Sequence, residues 1–588
     1  MLIMASRSTM KRVWLHRLRS VKEIQNRNAV ARSFVCSGNI NDSNHHNFYT
    51  LLFTTTGLLA ASIAAFSTQD PTVSLEQEHP HDDTTTTLLN WSGTHAVSVR
   101  NRNFFEPNSL EELQLVVKHC HDHNQPMRPL GSALSPNGIA FSNLGMVSMA
   151  NMDQLQELDL ENMTVTVQAG ARVSQVVDEL RKYNLTLPNL ASIAEQQMGG
   201  FISVGAHGTG AAIAPVDEYV TSLTIVTPAL GTITLTDGEW FQLAKVGLGC
   251  LGVVAEVTMK VVPAHNLVEH TACLTRAQAK EQLPLLLKQH KHMRYMWIPY
   301  TDVVVCVTND PEDADIMKDA PRDFMEHDKG TRFAPLRELL LSFTKDHPTE
   351  PATTESIEEM GFGELRDALL AIDPLDVDHV KLVNTAEAEF WKRSEGYQTK
   401  PSDQLLQFDC GGQQWVWEVC FPTGTYDEKN DNDTHFMEKL LAGIEEMGIA
   451  AHSPIEQRWS ASSSSLMSPA HGPPGSLHSW VGIIMYLPSD DERQRREITH
   501  TFNGMYCDLM RSVGHEVNAA SHWAKLEIPK TIDGIVDLQE HISERYPAQK
   551  FNDLRGTLDP KNIMGNSLMD LAFRHQSTLS TSRSTKAS

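Results

Sequence analysis

Two turns made almost wholly of small residues constrain this chain more than any other feature. The first is Arg128-Pro129-Leu130-Gly131-Ser132-Ala133-Leu134-Ser135, set between two apolar runs, and the second is Gly205-Ala206-His207-Gly208-Thr209-Gly210. Neither has the side chains to pack a core. Exposed N–H groups in a glycine and serine turn form a concave donor surface suited to a pyrophosphate, and missing side chains let a large anion approach closely. A dinucleotide is the natural candidate, with two ordinary surface turns as the plain alternative.

At 588 residues the chain exceeds a single core, so two large domains with appendages are expected. A hydrophobic fraction of 41% against 21% charged residues marks it as globular. The net charge of −24 argues against nucleic-acid binding, which needs a basic footprint. That charge is unevenly spread. The first 35 residues carry eight basic side chains (Arg7, Lys11, Arg12, Arg17, Arg19, Lys22, Arg27, Arg32) against Glu23 alone, a net +7 that leaves about −31 on the remainder. With serines between the basic residues, residues 1–40 read as a mitochondrial or plastid presequence. From Phe48 to Phe66 the chain runs uncharged for 19 residues, long enough to cross a bilayer core of about 30 Å. Four threonines weaken that span, so both an inner-membrane anchor and removal with the leader stay open.

Eight cysteines lie far apart with no CxxC pair, which reads as reduced thiols. His119-Cys120-His121-Asp122-His123 stacks metal-ligand types, yet it ends an amphipathic helix that Asn108 or Ser109 caps. Imidazoles in a last turn suit the helix dipole, so no metal is expected. Residues 67–91 have linker composition. Strict alternation over Met163–Gly170 and strands at Leu223–Thr227, Thr232–Leu235 and Val253–Val262 make 92–263 a compact α+β domain. Helices at Ala277–Gln289, Ala388–Ser394 and Asp433–Met447 mix with strands at Val303–Thr308, Trp415–Cys420 and Trp480–Leu487, so 264–575 forms a second α+β domain. The Ser/Thr-rich end, 576–588, reads as a disordered tail.

Gly247-Leu248-Gly249-Cys250-Leu251-Gly252 matches GxGxxG, but that fingerprint needs a strand before it and a helix after it. Here the order is inverted: a helical Glu239–Lys245 precedes and an alternating strand from Gly252 follows. A Rossmann NAD site is rejected, although the loop is free to touch a cofactor.

The two glycine turns, with Asn189-Leu190-Ala191-Ser192-Ile193 between them, resemble the PCMH-type FAD-binding domain of the vanillyl-alcohol-oxidase flavoprotein superfamily. Phe408-Asp409-Cys410-Gly411-Gly412-Gln413-Gln414-Trp415, Pro454-Ile455-Glu456-Gln457-Arg458-Trp459 and His522-Trp523-Ala524-Lys525 narrow the resemblance to the aldonolactone oxidoreductases, and within them to the galactonolactone dehydrogenases. The resemblance implies an α+β fold of two domains, an FAD-binding domain plus a cap with an antiparallel sheet that binds the substrate. It implies FAD contacts from Arg128, Gly131, Ser132, Ala133, Leu134, Ser135, Ala191, Ser192, Gly200, Gly205, His207, Gly208 and Val254. Related oxidases carry a histidine, covalently joined to the flavin, where this chain has Leu134. Leucine has no nucleophilic atom, so noncovalent FAD is implied. Ala191 is implied to lie beside the flavin and to restrict oxygen.

The resemblance further implies oxidation of L-galactono-1,4-lactone at C2 to give ascorbate, with cytochrome c as electron acceptor at the mitochondrial inner membrane or intermembrane space. A peroxide-forming aldonolactone oxidase and an assembly factor for respiratory complex I stand as alternatives. Such an oxidation removes a proton from oxygen and a hydride from carbon, so the protein must stabilise developing negative charge. An arginine fork is better suited to this than lysine. On a strand, Glu456 and Arg458 share one face at i and i+2. The resemblance assigns this pair to substrate binding and catalysis, where sequence alone permits a weak surface pair. Lys525 is a candidate donor to a lactone oxygen or to the flavin, or else a solvated lysine. Cys410 resembles a family thiol near the site, and His522 is either a core or a flavin-contacting imidazole.

Overall fold

The computed structural model describes residues 84–317, 329–345, 354–408 and 411–573. The expected presequence, the uncharged run 48–66, Cys410 and the tail 576–588 lie outside the described residues. Among the described residues no helix is long and apolar enough to cross a membrane.

The first unit is built on two small sheets. Arg128–Leu130, Met146–Ser148 and Phe104–Phe105 form a parallel three-stranded sheet, with Met146–Ser148 in the middle. The helix Leu110–Asp122 packs on it through Leu113, Val117 and Cys120. Ser109 caps that helix, its side chain accepting from the Glu112 N–H, and His119 and His121 close its last turn as the dipole favours. A five-stranded antiparallel sheet runs in the order Gly231–Leu235, Val220–Thr227, Val253–Lys260, Thr164–Gln168, Leu155–Asp159. The alternation in Thr164–Gln168 buries Val165 and Val167 completely, as a period of two requires.

Order begins earlier than the linker composition of 67–91 suggests. Thr85–Leu89 pairs antiparallel with Ala96–Arg100, because threonines suit a half-exposed strand once a partner is present. The loop between these strands reaches the first glycine turn. There the Trp91 N–H donates to the Ala133 carbonyl, and the Asn90 and Thr94 side chains donate to the Pro136 carbonyl. The hairpin thus clamps that turn.

The second unit centres on an eight-stranded sheet, ordered Gly396–Pro401, Asn266–Leu274, Val303–Pro311, His292–Ile298, Ile455–Ala461, Ser476–Tyr486, Gln414–Thr425, Ala520–Ser521. One face is apolar. Tyr295 and Trp297, Ile455 and Trp459, Val481 and Ile483, Trp417 and Phe421 bury against helices Arg276–Gln289 and Asn432–Met447. By the two-residue period the opposite face carries Arg294 and Met296, Glu456 and Arg458, Val416 and Glu418. The helices Lys329–Lys345, Phe362–Ile372 and Val377–Lys392 pack together beyond this face.

From Ala520 onward the chain returns to the first unit. Trp523, Leu526, Ile542, Phe551, Leu558 and Phe573 share a core with Val165, Leu180, Phe201 and Ile225, although these residues fall in the range 264–575 that sequence groups with the cap. That return carries Lys525 to the junction of the two units.

Candidate functional site

A cavity of about 520 Å³ lies between the two units, a size typical of a ligand site. Its walls on the first unit include the turn Gly131–Ser135, Ala191, Ser192, Gly200, His207 and Val254. Its walls on the second include Arg294, Met296, Glu456 and Arg458, and Lys525 reaches it from the C-terminal return. Of the residues expected to touch flavin or substrate, Gly205 and Gly208 stand behind the wall.

Gly208 works by close approach. A Cβ there would fall onto Asn189 Oδ1 and the Leu190 carbonyl oxygen, so glycine alone lets the second turn pack against the Asn189–Ser192 segment. Arg128 is also structural in its contacts. Its buried guanidinium donates to the carbonyl oxygens of Ile139 at 2.8 Å, Leu248 at 2.5 Å, Gly249 at 3.0 Å and Met564 at 2.8 Å. It ties the first turn to the loop 247–252 and to the C-terminal segment, leaving anion binding to backbone donors. That loop runs from the helix Gly238–Ala244 into the strand Val253–Lys260, the inverted order that excludes a Rossmann site, and Leu248, Gly249 and Gly252 line the cavity.

The first-unit wall fits a flavin dinucleotide. Gly200 has open space where a side chain would stand, and Ser132 Oγ, Gln196 Oε1 and Gln197 Oε1 are buried there with no hydrogen-bond partner. Buried polar atoms are costly when unpaired, so a polar ligand is what completes them.

At the junction the second unit supplies a charged cluster. Glu456 and Arg458 share one face of the strand Ile455–Ala461, with Arg458 Nε 3.4 Å from Glu456 Oε2. Arg458 Nη2 also donates to Glu418 Oε1 at 2.9 Å, and Lys525 Nζ donates to Glu418 Oε2 at 2.5 Å. Glu418 additionally meets His207 Nε2 at 3.2 Å, while the His207 ring stacks on Trp480 with centroids 3.7 Å apart. One carboxylate thus joins the second glycine turn to both candidate catalytic cations. Gly482 lies between Glu456 and Glu418 in the ladder, so no side chain separates their strands there.

Burial alone would raise the Glu418 carboxyl, but Lys525, Arg458 and His207 together hold it well below the usual carboxylate range. Burial lowers His207 and pushes His522 well down, so both imidazoles are neutral near pH 7. His522 Nδ1 accepts the Ala524 N–H, which shapes the turn Trp523–Lys525 that aims Lys525. His207, Glu418 and His522 bring ligand-type atoms within 4.8 Å of one another, but Arg458 and Lys525 already supply positive charge to that carboxylate.

Sequence reasoning missed Glu418, Arg294, Trp480 and Gly482. A usable signal existed for the first two: each is the one charged residue in an otherwise continuously apolar stretch, Trp415-Val416-Trp417-Glu418-Val419 and Met293-Arg294-Tyr295-Met296-Trp297.

Comparison with known proteins agrees with this geometry. Residues 102–237 match a family model described as an FAD binding domain, and residues 257–571 match one described as D-arabinono-1,4-lactone oxidase. The chain is 45% identical to L-galactono-1,4-lactone dehydrogenase 2, mitochondrial, of Oryza sativa subsp. japonica, over 84% of this chain and 85% of that protein. It is 46% identical to the mitochondrial L-galactono-1,4-lactone dehydrogenase of Arabidopsis thaliana, over 83% and 81%. The chain belongs to the L-galactono-1,4-lactone dehydrogenase family. A crystal structure of cholesterol oxidase from B. sterolicum shares the fold, with a TM-score of 0.63 at 14% identity over 83% of this chain and 97% of that one.

Within this family the first-unit wall is the FAD-binding domain that the glycine turns predicted. Leu134 lines that wall, and leucine has no nucleophilic atom.

Proposed function

We propose that the protein oxidises L-galactono-1,4-lactone at C2, using noncovalently held FAD, to the 2-keto lactone that tautomerises to ascorbate. The observation that carries this reading is the placement of Glu456, Arg458 and Lys525 on one cavity whose other wall is the flavin-binding turn. Bound FAD supplies the two-electron acceptor for the hydride that leaves C2.

The chain's own groups do the rest. Among the described residues two carboxyl groups line the cavity, Glu387 and Glu456. Glu387 accepts from Ser453 Oγ at 2.6 Å, and its burial pushes its pKa up, which leaves it neutral more readily. Glu456, on the cavity wall beside Arg458, is the group we assign to accept the C2 hydroxyl proton. The Arg458 fork stabilises negative charge as it develops on that oxygen, and Lys525 donates to a lactone oxygen or to the reduced cofactor. Glu418 holds both cations in place. Arg294, Arg458 and Lys525 bring three cationic side chains to the carboxylates Glu418 and Glu456, and cations so placed can stabilise an oxyanion.

The test is a visible spectrum of purified protein before and after anaerobic L-galactono-1,4-lactone. Bleaching of the flavin bands near about 450 nm supports the reading, and a colourless protein or an unbleached flavin overturns it. Glu456→Gln is expected to retain flavin and lose bleaching.

The acceptor in this reading is cytochrome c, at the mitochondrial inner membrane or intermembrane space. Support comes from the mitochondrial names of the relatives and from the acidic surface, since a net charge of −24 suits a basic partner. Ala191 and Leu134 on the flavin wall favour a dehydrogenase over a peroxide-forming oxidase.

A further inference from the structure

Arg294 is a guanidinium whose hydrogen-bond donors find no acceptor among the described residues. It lies on the strand His292–Ile298, directly across from Arg458 in the ladder, and it lines the cavity. Its side chain is 14% exposed, its Nη1 stands 3.9 Å from Glu456 Oε1, and none of its N–H groups makes a hydrogen bond among the described residues. At 3.9 Å the contact with Glu456 is an ion pair, too long for a hydrogen bond. By contrast Arg128 and Arg458, on the same cavity, both donate hydrogen bonds within the protein.

A guanidinium removed from water with its donors unused is expensive unless something else completes it. The position is nevertheless rigid. The centroid of the Phe408 ring lies 3.7 Å from the Arg294 Cζ, and a stacked planar fork loses little further freedom when it binds. With Arg458 on the next strand, each guanidinium group stands nearest a different oxygen of the Glu456 carboxylate. This is a receptor for a substrate carrying a hydroxyl for the carboxylate and a second, adjacent oxygen for a fork.

We propose that Arg294 is a substrate-binding residue that reads the lactone carbonyl oxygen next to the reacting C2 hydroxyl. It thereby sets preference for aldonolactones over sugar alcohols of the same shape. This role rests on the proposed lactone oxidation and deepens it. The lactone carbonyl is present before and after oxidation, so the Arg294 contribution falls mainly in KM, and in kcat only as far as the contact orients C2 for hydride loss.

The experiment uses full-length flavoprotein and the variants Arg294→Met and Arg294→Lys, with flavin content and absorption spectrum verified. Two ligands are compared: L-galactono-1,4-lactone, and the 1,4-anhydroalditol of the same configuration, which keeps the ring and hydroxyls but lacks the carbonyl. Arg294→Met is expected to lower kcat/KM for the lactone roughly 10- to 100-fold, the size of a lost charged hydrogen bond. Inhibition by the anhydroalditol should stay within about twofold of wild type, and Arg294→Lys should recover part of the loss by its charge alone. Equal weakening of both ligands, or an unchanged kcat/KM in Arg294→Met, overturns the proposal. If the wild-type flavin is not reduced by the lactone at all, the proposed function fails instead, and the two failures are told apart.

Discussion

Glu418→Gln tests the keystone of the site. The substitution keeps the shape and removes the charge on a side chain that is 2% exposed, beside Arg458 at 7% and Lys525 at 19%. The amide oxygen can still accept from Arg458, but its NH2 then faces the Lys525 ammonium, donor against donor. Breaking a buried pair by removing one partner costs about 3–5 kcal/mol, and one retained hydrogen bond returns about 1 kcal/mol, so a loss of about 3 kcal/mol is expected. Catalysis should fall with it, by roughly 100-fold in kcat/KM, because both cations lose their fixed positions. The loss has a distinctive pH signature. The folded-state pKa of Glu418 lies below its ordinary 4.5, so its stabilisation is complete above that pH and is lost as pH falls toward the folded value. The gap between wild type and variant, followed by urea unfolding of the flavin-loaded protein, should therefore be constant near pH 7 and close below about pH 4.5. A variant with wild-type kcat/KM and a stability within about 0.5 kcal/mol at pH 7 refutes this role for Glu418.

Gly208→Ala is expected to push the second glycine turn off Asn189 and Leu190, and to lower bound flavin per protein, measured as the ratio of visible to ultraviolet absorbance. Wild-type protein is expected to release all its yellow colour into the supernatant on acid precipitation, since Leu134 has no nucleophilic atom, and colour retained in the pellet would refute noncovalent binding. With cytochrome c as acceptor, kcat/KM should fall as ionic strength rises from about 0.01 to 0.15 M, over which the screening length shrinks from about 30 to 8 Å. A salt-independent rate would speak against steering by the acidic surface.

The FAD-binding domain was legible because glycine and serine turns act through their own backbone, so a local string of residues carries its own meaning. The expected strands at Leu223–Thr227 and Thr232–Leu235 match Val220–Thr227 and Gly231–Leu235 for a related reason: alternation is a local property. Glu456 and Arg458 were legible as a pair because i and i+2 share a strand face whatever the sheet does.

What pairs with that couple is a different kind of information. Glu418 lies 40 residues from Arg458 and 107 from Lys525, and Arg294 joins the site through ladder register alone. An alternating strand announces that its two faces differ, but not which face meets a cavity, which meets a helix and which strands stand beside it. Sequence by itself determined the kind of cofactor this chain can cradle and the local geometry of the candidate residues Glu456 and Arg458. Only the tertiary structure decided that one buried carboxylate joins the second glycine turn to the candidate catalytic cations, because strand order and the return of the C-terminal segment to the first unit are set by nonlocal burial.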